Sequence, residues 1–382
     1  MSDYTPFMRE AIALAQQGRF ATCPNPTVGA VLVKNGAIVA RGWHHKAGEA
    51  HAEVDCLRNA RELGVNPAEC TLVVTLEPCN HTGKTPPCSE AILAAGIKRV
   101  VMGLADPNPV AAGGAGRLRA AGVEVIGPVC EDECRDLVAD FCLWQQEKRP
   151  YVILKMAATL DGRIATRTGH SRWISCAASR EQTHIMRAGV GLAGGAVLVG
   201  GNTFKQDNPQ LTHRLEGHAM ASAPQPLACV VTSHLPKPDA AMHLVQERAA
   251  STVFLCPPAV AASTEARALQ QLGVRVFPMP PAVRGKSDMH HMMLCLRQEL
   301  GCPYVLCEGG GRFAMSLLEW GYVDEFHLHL APLLLCDNNA RPLFDGREPQ
   351  TLAEGLGMRV CNAGMCGDDV HVLLRRKACS QA

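Results

Sequence analysis

The chain reads as an α/β protein of two domains, and three observations lead there. Its 382 residues are more than one small hydrophobic core organises. Apolar runs of strand length alternate with apolar stripes at helical spacing, the pattern of a sheet layered with helices. The polar stretch Gln145-Gln146-Glu147-Lys148-Arg149-Pro150 interrupts this alternation, which then restarts, so domains are expected over 1–146 and 147–382.

Met8, Ile12 and Ala15 recur at helical spacing, which predicts an amphipathic helix over Phe7–Gln17. Val28–Val33 and Ala37–Trp43 flank Asn35-Gly36, the residue pair that favours a two-residue hairpin turn. His51–Leu63 reads as a helix closed by Gly64, and Thr71–Leu76 as a strand. Pro86-Pro87 suit the first turn of a helix over Ser89–Ala95, which Gly96 ends. Arg99–Leu104 and Val123–Ile126 are further strands. In the second half, strands are expected at Tyr151–Ala157, Ala196–Val199, Leu227–Thr232, Thr252–Leu255 and Tyr304–Cys307. Helices are expected at Ser179–Ala188, Glu265–Leu272 and Phe313–Trp320. Leu215–Pro226 and the Pro/Met-rich run Pro278–Met293 read as surface excursions, and no internal repeat relates the halves.

Composition narrows the function classes. Hydrophobic residues at 47% and charged residues at 19% fit a globular enzyme and exclude a disordered chain. A formal net charge of +1, without a basic stripe, leaves no electrostatic footprint for nucleic acid. The 18 cysteines are scattered singly, as at Cys56, Cys142, Cys229 and Cys307, unlike a short disulfide scaffold. The opening Met1-Ser2-Asp3-Tyr4 lacks a basic and an apolar stretch, so no signal peptide is expected. No apolar run reaches membrane-spanning length, and the expected location is cytoplasmic.

Chemistry concentrates at His51-Ala52-Glu53, Pro78-Cys79 and Pro87-Cys88. One imidazole and two thiols make three ligands, and a catalytic zinc keeps its fourth position for water. Glu53 is then placed to move protons to and from that water. His51 and Cys88 open helices and Cys79 follows a strand, and a helix N-terminus lowers a thiol's pKa and favours metal binding. Any one of these residues alone is more often an ordinary buried thiol or a helix-start histidine. Two Pro-Cys pairs together with the H-x-E element resemble the zinc nucleobase deaminases, in which the glutamate is not a ligand.

Eight residues separate the two cysteines, where most such deaminases have two. With that spacing, Thr75-Leu76-Glu77-Pro78-Cys79-Asn80-His81-Thr82-Gly83-Lys84-Thr85-Pro86-Pro87-Cys88 resembles the deaminase domain of bifunctional riboflavin-biosynthesis proteins. So do Pro24-Asn25-Pro26, Gly48-Glu49-Ala50-His51-Ala52-Glu53 and Asp106-Pro107-Asn108-Pro109. The resemblance implies a cytidine-deaminase-like three-layer sandwich with one zinc per chain. Its substrate would be a diaminopyrimidinone ribosylamino 5′-phosphate met by Asn25, His44, His81, Lys84, Asp106 and Asn108.

The second half resembles the reductase domain of the same proteins, through Leu154-Lys155-Met156-Ala157-Ala158-Thr159-Leu160-Asp161-Gly162-Arg163-Ile164, Ser171-Arg172-Trp173-Ile174-Ser175, Asp207-Asn208-Pro209-Gln210-Leu211-Thr212 and Glu308-Gly309-Gly310-Gly311. The glycine loop between a strand and a helix suits a cofactor phosphate, although alone it is equally an ordinary tight turn. The resemblance implies a dihydrofolate-reductase-like domain that binds NADPH through Ala157, Trp173, Thr203, Asp207, Ser233, Gly310, Gly311 and Arg312. The substrate's ribose phosphate would be met by Ser171, Arg187, Leu211, Arg214 and Glu308. Gly189–Gly201 is longer and richer in glycine than the family pattern, and Asn208 stands where an aspartate is common. Hydrolytic deamination followed by reduction of the ribosyl group to ribityl is the expected function. A homo-oligomer acting on small molecules, without nucleic-acid or membrane partners, is the expected assembly. Two rival readings are a nucleoside or nucleic-acid deaminase with a non-catalytic second domain, and an interaction module in which zinc is only structural.

Overall fold

Met8, Ala11, Ile12, Leu14 and Ala15 are the buried residues of α1 (Thr5–Gln16), the first element of a unit spanning Met1–Glu147. The computed structural model describes residues 3–82, 86–280 and 288–376. β1 (Gly29–Lys34) and β2 (Ala37–Trp43) form the expected hairpin. Asn35 and Gly36 between them have φ of 54° and 77°, the left-handed pair that such a turn requires. Then follow α2 (Ala52–Glu62), β3 (Thr71–Leu76), α3 (Cys88–Ala94), β4 (Arg99–Leu104), α4 (Gly114–Ala120), β5 (Glu124–Ile126), α5 (Glu131–Leu137) and α6 (Ala139–Gln146). The sheet order is β2-β1-β3-β4-β5, with β1 antiparallel to both neighbours and β3, β4 and β5 parallel. α1 packs on β1–β3 and meets α5, while α2 packs on β1 and β2 and meets α3, which in turn meets α4. The sheet is the middle layer of three, and its fully buried Leu32, Leu72, Val74 and Val101 form the core.

The second unit, Lys148–Ala382, begins at β6 (Tyr151–Thr159) and β7 (Arg163–Ala165). α7 (Ala177–Leu192), β8 (Ala196–Gly200), α8 (Gly201–Asp207), β9 (Leu227–Val231), α9 (His243–Gln246) and β10 (Thr252–Cys256) follow. Next come α10 (Pro258–Ala261), α11 (Thr264–Gln271), β11 (Arg275–Pro278), α12 (Met289–Leu294), β12 (Tyr304–Cys307) and α13 (Gly311–Glu319). β13 (Glu325–Ala331), β14 (Arg341–Pro342), β15 (Met358–Cys366) and β16 (Asp369–Arg376) complete it. Among the described residues the main sheet has nine strands in the order β11-β10-β9-β8-β12-β6-β13-β16-β15. It is parallel from β11 to β13, and β16 and β15 join antiparallel. Central β6 lies between β12 and β13, so a nearly continuous apolar run is required there.

Two expectations need correction. Pro278–Met293 is not only a surface excursion: Met289, Met292 and Met293 of α12 are buried in the second core, and the Asp288 carboxylate caps that helix by accepting the His291 N–H at 3.1 Å. Residues 281–287 of that run lie outside the described residues. α7 runs four residues beyond Ala188, through Gly189 and Gly191 to Leu192. A Cβ at Gly191 would sit 2.0 Å from the Pro224 carbonyl oxygen, so glycine there serves close packing and does not end the helix. Helices α4, α5 and α6 and strands β13, β15 and β16 also form where the sequence pattern alone was not assigned.

Candidate active sites

In the first unit, the start of α2, the end of β3 and the start of α3 bring three ligand-type side chains to one point. His51 is the N-cap of α2, Cys79 follows β3 and Cys88 opens α3. Their ligand atoms lie within 4.8 Å of one another. His51 Nδ1 is 3.6 Å from Cys79 Sγ and 3.3 Å from Cys88 Sγ. A tetrahedral zinc with Zn–S of about 2.3 Å and Zn–N of about 2.0 Å sets N···S edges of about 3.5 Å, so this donor set fits that ion. Cys79 is the first thiol to ionise: the hydrogen bond from Cys88 holds it well down, and His51 adds to that. Glu53, 4% exposed, sits one residue into α2 beside the triad, and burial pushes its carboxyl up to about 7 against the pull of His51.

A cavity of about 470 Å³ opens onto this point. Asn25, His51, Glu53, Cys79, His81, Asp106 and Asn108 line it. His44 supports it from behind. Asn25 Nδ2 donates to His44 Nε2 at 3.2 Å, and His44 Nδ1 donates to the Ala50 carbonyl at 2.9 Å, which fixes one neutral tautomer. Burial lowers the His44 pKa, in keeping with that neutral form. His81 Nδ1 is buried and has no hydrogen-bond partner among the described residues, so a ligand in the cavity could supply one. Lys84 lies outside the described residues.

The second unit carries a larger cavity of about 920 Å³, lined in part by Ala157, Ser171, Thr203, Asp207, Ser233, Glu308, Gly310, Gly311 and Arg312. Gly310 caps α13, but its N–H is already donated to Thr203 Oγ1 at 3.0 Å. Thr203 of α8 therefore braces the glycine loop in addition to facing the cavity. Arg312 pairs with Asp345 at an exposed site. Trp173 is 70% exposed with the Arg180 guanidinium 4.6 Å over its ring, and it does not line the cavity.

Arg187, on α7, is held differently from a free phosphate fork. Its Nε and Nη2 donate to the two Glu308 oxygens, each at 2.7 Å, and its Nη1 donates to the Thr212 carbonyl at 2.8 Å. Burial would raise the Glu308 pKa, but the guanidinium wins and holds that carboxylate below its usual range. Arg187 reaches the cavity only through Glu308; Leu211 is buried behind it, and Arg214 Nη1 donates to Gln210 Oε1 and Thr212 Oγ1. Lys155 of β6 lines the cavity near Glu308, and desolvation lowers its ammonium pKa. A lysine interrupting the otherwise apolar run Tyr151–Ala157 is the signal in the sequence that marks Lys155.

The family described as RibD C-terminal domain matches residues 150–372, and the cytidine and deoxycytidylate deaminase zinc-binding region matches residues 1–104. A curated riboflavin biosynthesis protein RibD from Aquifex aeolicus is 38% identical over 97% of this chain and 98% of its own length. The chain belongs to the RibD family. The Escherichia coli RibD protein is 38% identical over 86% of this chain and 88% of its own. Among solved structures, Acinetobacter baumannii RibD matches with TM-score 0.74 at 33% identity, covering 98% of this chain and 99% of that one. A Thermotoga maritima diaminohydroxyphosphoribosylaminopyrimidine deaminase/5-amino-6-(5-phosphoribosylamino)uracil reductase matches with TM-score 0.74 at 32% identity, over 98% and 99% of the two chains. This RibD chain is a bifunctional enzyme of riboflavin biosynthesis, with a cytidine-deaminase-like sandwich followed by a dihydrofolate-reductase-like domain. Among the described residues, no helix is long and apolar enough to cross a membrane.

Proposed function

We propose that residues 1–146 hydrolyse an exocyclic amine of 2,5-diamino-6-ribosylamino-4(3H)-pyrimidinone 5′-phosphate and that residues 147–382 reduce the product's ribosyl group with NADPH. The placement of buried Glu53 beside the His51–Cys79–Cys88 triad, at the base of a polar cavity, is the observation that carries the first half. His51, Cys79 and Cys88 would hold a zinc ion, whose Lewis acidity would make a water nucleophilic near neutral pH. Glu53 takes a proton from that water and returns it to the departing amine, so water and aminopyrimidine become ammonia and a pyrimidine carbonyl. Asn25, supported by His44, offers a donor and an acceptor to the pyrimidine edge, and Asp106 and Asn108 form the facing wall. His81 and Lys84 belong to the segment between the two cysteines and are assigned to the phosphate.

In the second unit, the cavity size and the Thr203-braced loop at Gly309–Gly311 suit a nicotinamide dinucleotide. We place its contacts at Ala157, Thr203, Asp207, Ser233 and Gly310–Arg312, which line the cavity; Trp173, outside that lining, is not among them. Ser171, Leu211, Arg214 and the Arg187–Glu308 pair are assigned to the ribose phosphate, with Glu308 facing the cavity. Lys155, already partly desolvated, is positioned to give up a proton as hydride arrives at the sugar. A reducing cytoplasm suits the thiol ligands. Incubation with the diaminopyrimidinone phosphate and NADPH, following ammonia and nicotinamide absorbance together, should show ammonia release followed by stoichiometric cofactor oxidation. Ammonia without oxidation would favour a deaminase whose second domain only binds.

A further inference from the structure

The stretch between β3 and Cys79 contains a carboxylate that the chemistry above does not use. Glu77 Oε2 accepts the Asp106 N–H at 3.1 Å, and its Oε1 accepts the N–H groups of Gly113 and Ala115 at 3.1 and 3.0 Å. Bonds from amides to a carboxylate are about twice as strong as neutral ones, and three converge here. The same two segments are joined twice more. The Asn80 N–H donates to the Ala111 carbonyl at 2.9 Å, and a Cβ at Gly114 would lie 1.8 Å from the Pro78 carbonyl oxygen. Inside the tethered loop, Asp106 Oδ1 accepts the Asn108 N–H at 2.8 Å and Asn108 Oδ1 accepts the Val110 N–H at 3.1 Å. These turns hold one oxygen of each side chain, which leaves Asp106 Oδ2 and Asn108 Nδ2 for the cavity that Glu77, Asp106 and Asn108 all line.

We infer that Glu77 is a positioning residue of the deaminase: its carboxylate holds the Asp106–Asn108 wall in register with the strand end that carries Cys79. A carboxylate is suited to this because it only accepts, so both oxygens can face N–H groups. Glutamine would turn an NH2 group toward one of those donors and release part of the loop. The inference rests on Asp106 and Asn108 being substrate contacts, which Asp106→Ala tests separately.

The experiment uses the full-length, zinc-loaded chain and the diaminopyrimidinone phosphate. Glu77→Gln should raise the deamination KM by roughly tenfold to a hundredfold, the loss of one to two charge-assisted bonds, with a much smaller change in kcat. Zinc content and reduction of supplied deaminated substrate should be unchanged. Asp106→Ala should also raise KM, and the double variant should be little worse than Asp106→Ala alone, because Glu77 acts through that loop. In hydrogen exchange, the amides of Asp106, Gly113 and Ala115 should exchange faster in E77Q while those of β3 keep their protection. An unchanged KM in E77Q beside a raised one in D106A would overturn the inference, as would full additivity or loss of zinc from folded E77Q. An unchanged KM in D106A would instead overturn the assignment of the wall. If E77Q does not fold, wild-type exchange decides: those three amides must be protected, and rapid exchange there would overturn the proposal.

Discussion

The two active sites are built in opposite ways. The deaminase triad comes from one stretch of 38 positions, from His51 to Cys88, with each ligand at the end of a strand or the start of a helix. The reductase cavity draws on β6, α8, β9, α13 and the loop at Asp345, so its walls meet only after distant segments have paired. The first site is therefore visible as a motif, and the second is visible only as scattered short strings. Their residues also differ in what holds them. The three candidate zinc ligands have one another, whereas Arg187 and Glu308 form a buried ion pair on which part of the reductase wall depends.

The largest effect expected on that comparison is at the ligands. Cys88→Ser should abolish zinc binding and deamination, because a serine hydroxyl is a poor replacement for thiolate. Reduction of supplied substrate should survive, and metal analysis showing full zinc occupancy would break the ligand assignment. Glu53→Gln should lower deamination by about a hundred- to ten-thousand-fold with zinc retained, since it keeps size but removes the proton carrier. Near-normal ammonia release from folded, zinc-loaded E53Q would remove that residue from the chemistry.

Arg187→Ala sharpens the contrast in the other unit. Removing one member of a buried pair leaves Glu308 unpaired, which typically costs about 3–5 kcal/mol, so melting temperature should fall as well as substrate use in the reduction step. The variant Arg187→Ala with Glu308→Gln should recover much of the melting temperature but not the affinity for the sugar phosphate. Recovery of both would make the arginine a brace alone.

The smallest effect is a pH dependence. Burial lowers His329 to about 3, helped by Lys155, and lowers His371 to about 4, while an unfolded histidine titrates near 6.5. Both rings stay neutral in the fold, stacked at 4.8 Å, with His327 hydrogen-bonded to His371 at 2.9 Å and Ser179 to His329 at 3.0 Å. The unfolded chain gains protons first, so their stabilisation is present above about pH 6.5 and is lost as pH falls toward about 4. Melting temperatures between those values should decline, and His329→Gln should make that decline shallower. An identical slope in the variant would show that the stack does not govern the acid limb.

Most of the layered architecture was legible because strand and helix periodicities are local. Asn35-Gly36 marked its hairpin, and Gly64 and Gly96 fall just past the helices they were expected to end. The misreadings came where a side chain's environment is supplied from far along the chain. The helix expected to stop at Ala188 continues through Gly191, where the Pro224 backbone packs against α7. The methionines of α12 looked like surface residues until the second core closed over them.

The same division holds at the sites. His51, Glu53, Cys79 and Cys88 declare their chemistry by residue type and by position at element ends, which short-range sequence determines. What Arg187, Thr203, Lys155 and Glu77 do depends on partners 121, 107 and, for Lys155 and Glu77, other strands and loops away. Hydrogen-bond and charge partners of that kind are chosen by sheet register and packing. Sequence alone therefore determined the candidate reactive groups, and the tertiary structure decided which of their neighbours face a cavity and which are already held by the protein.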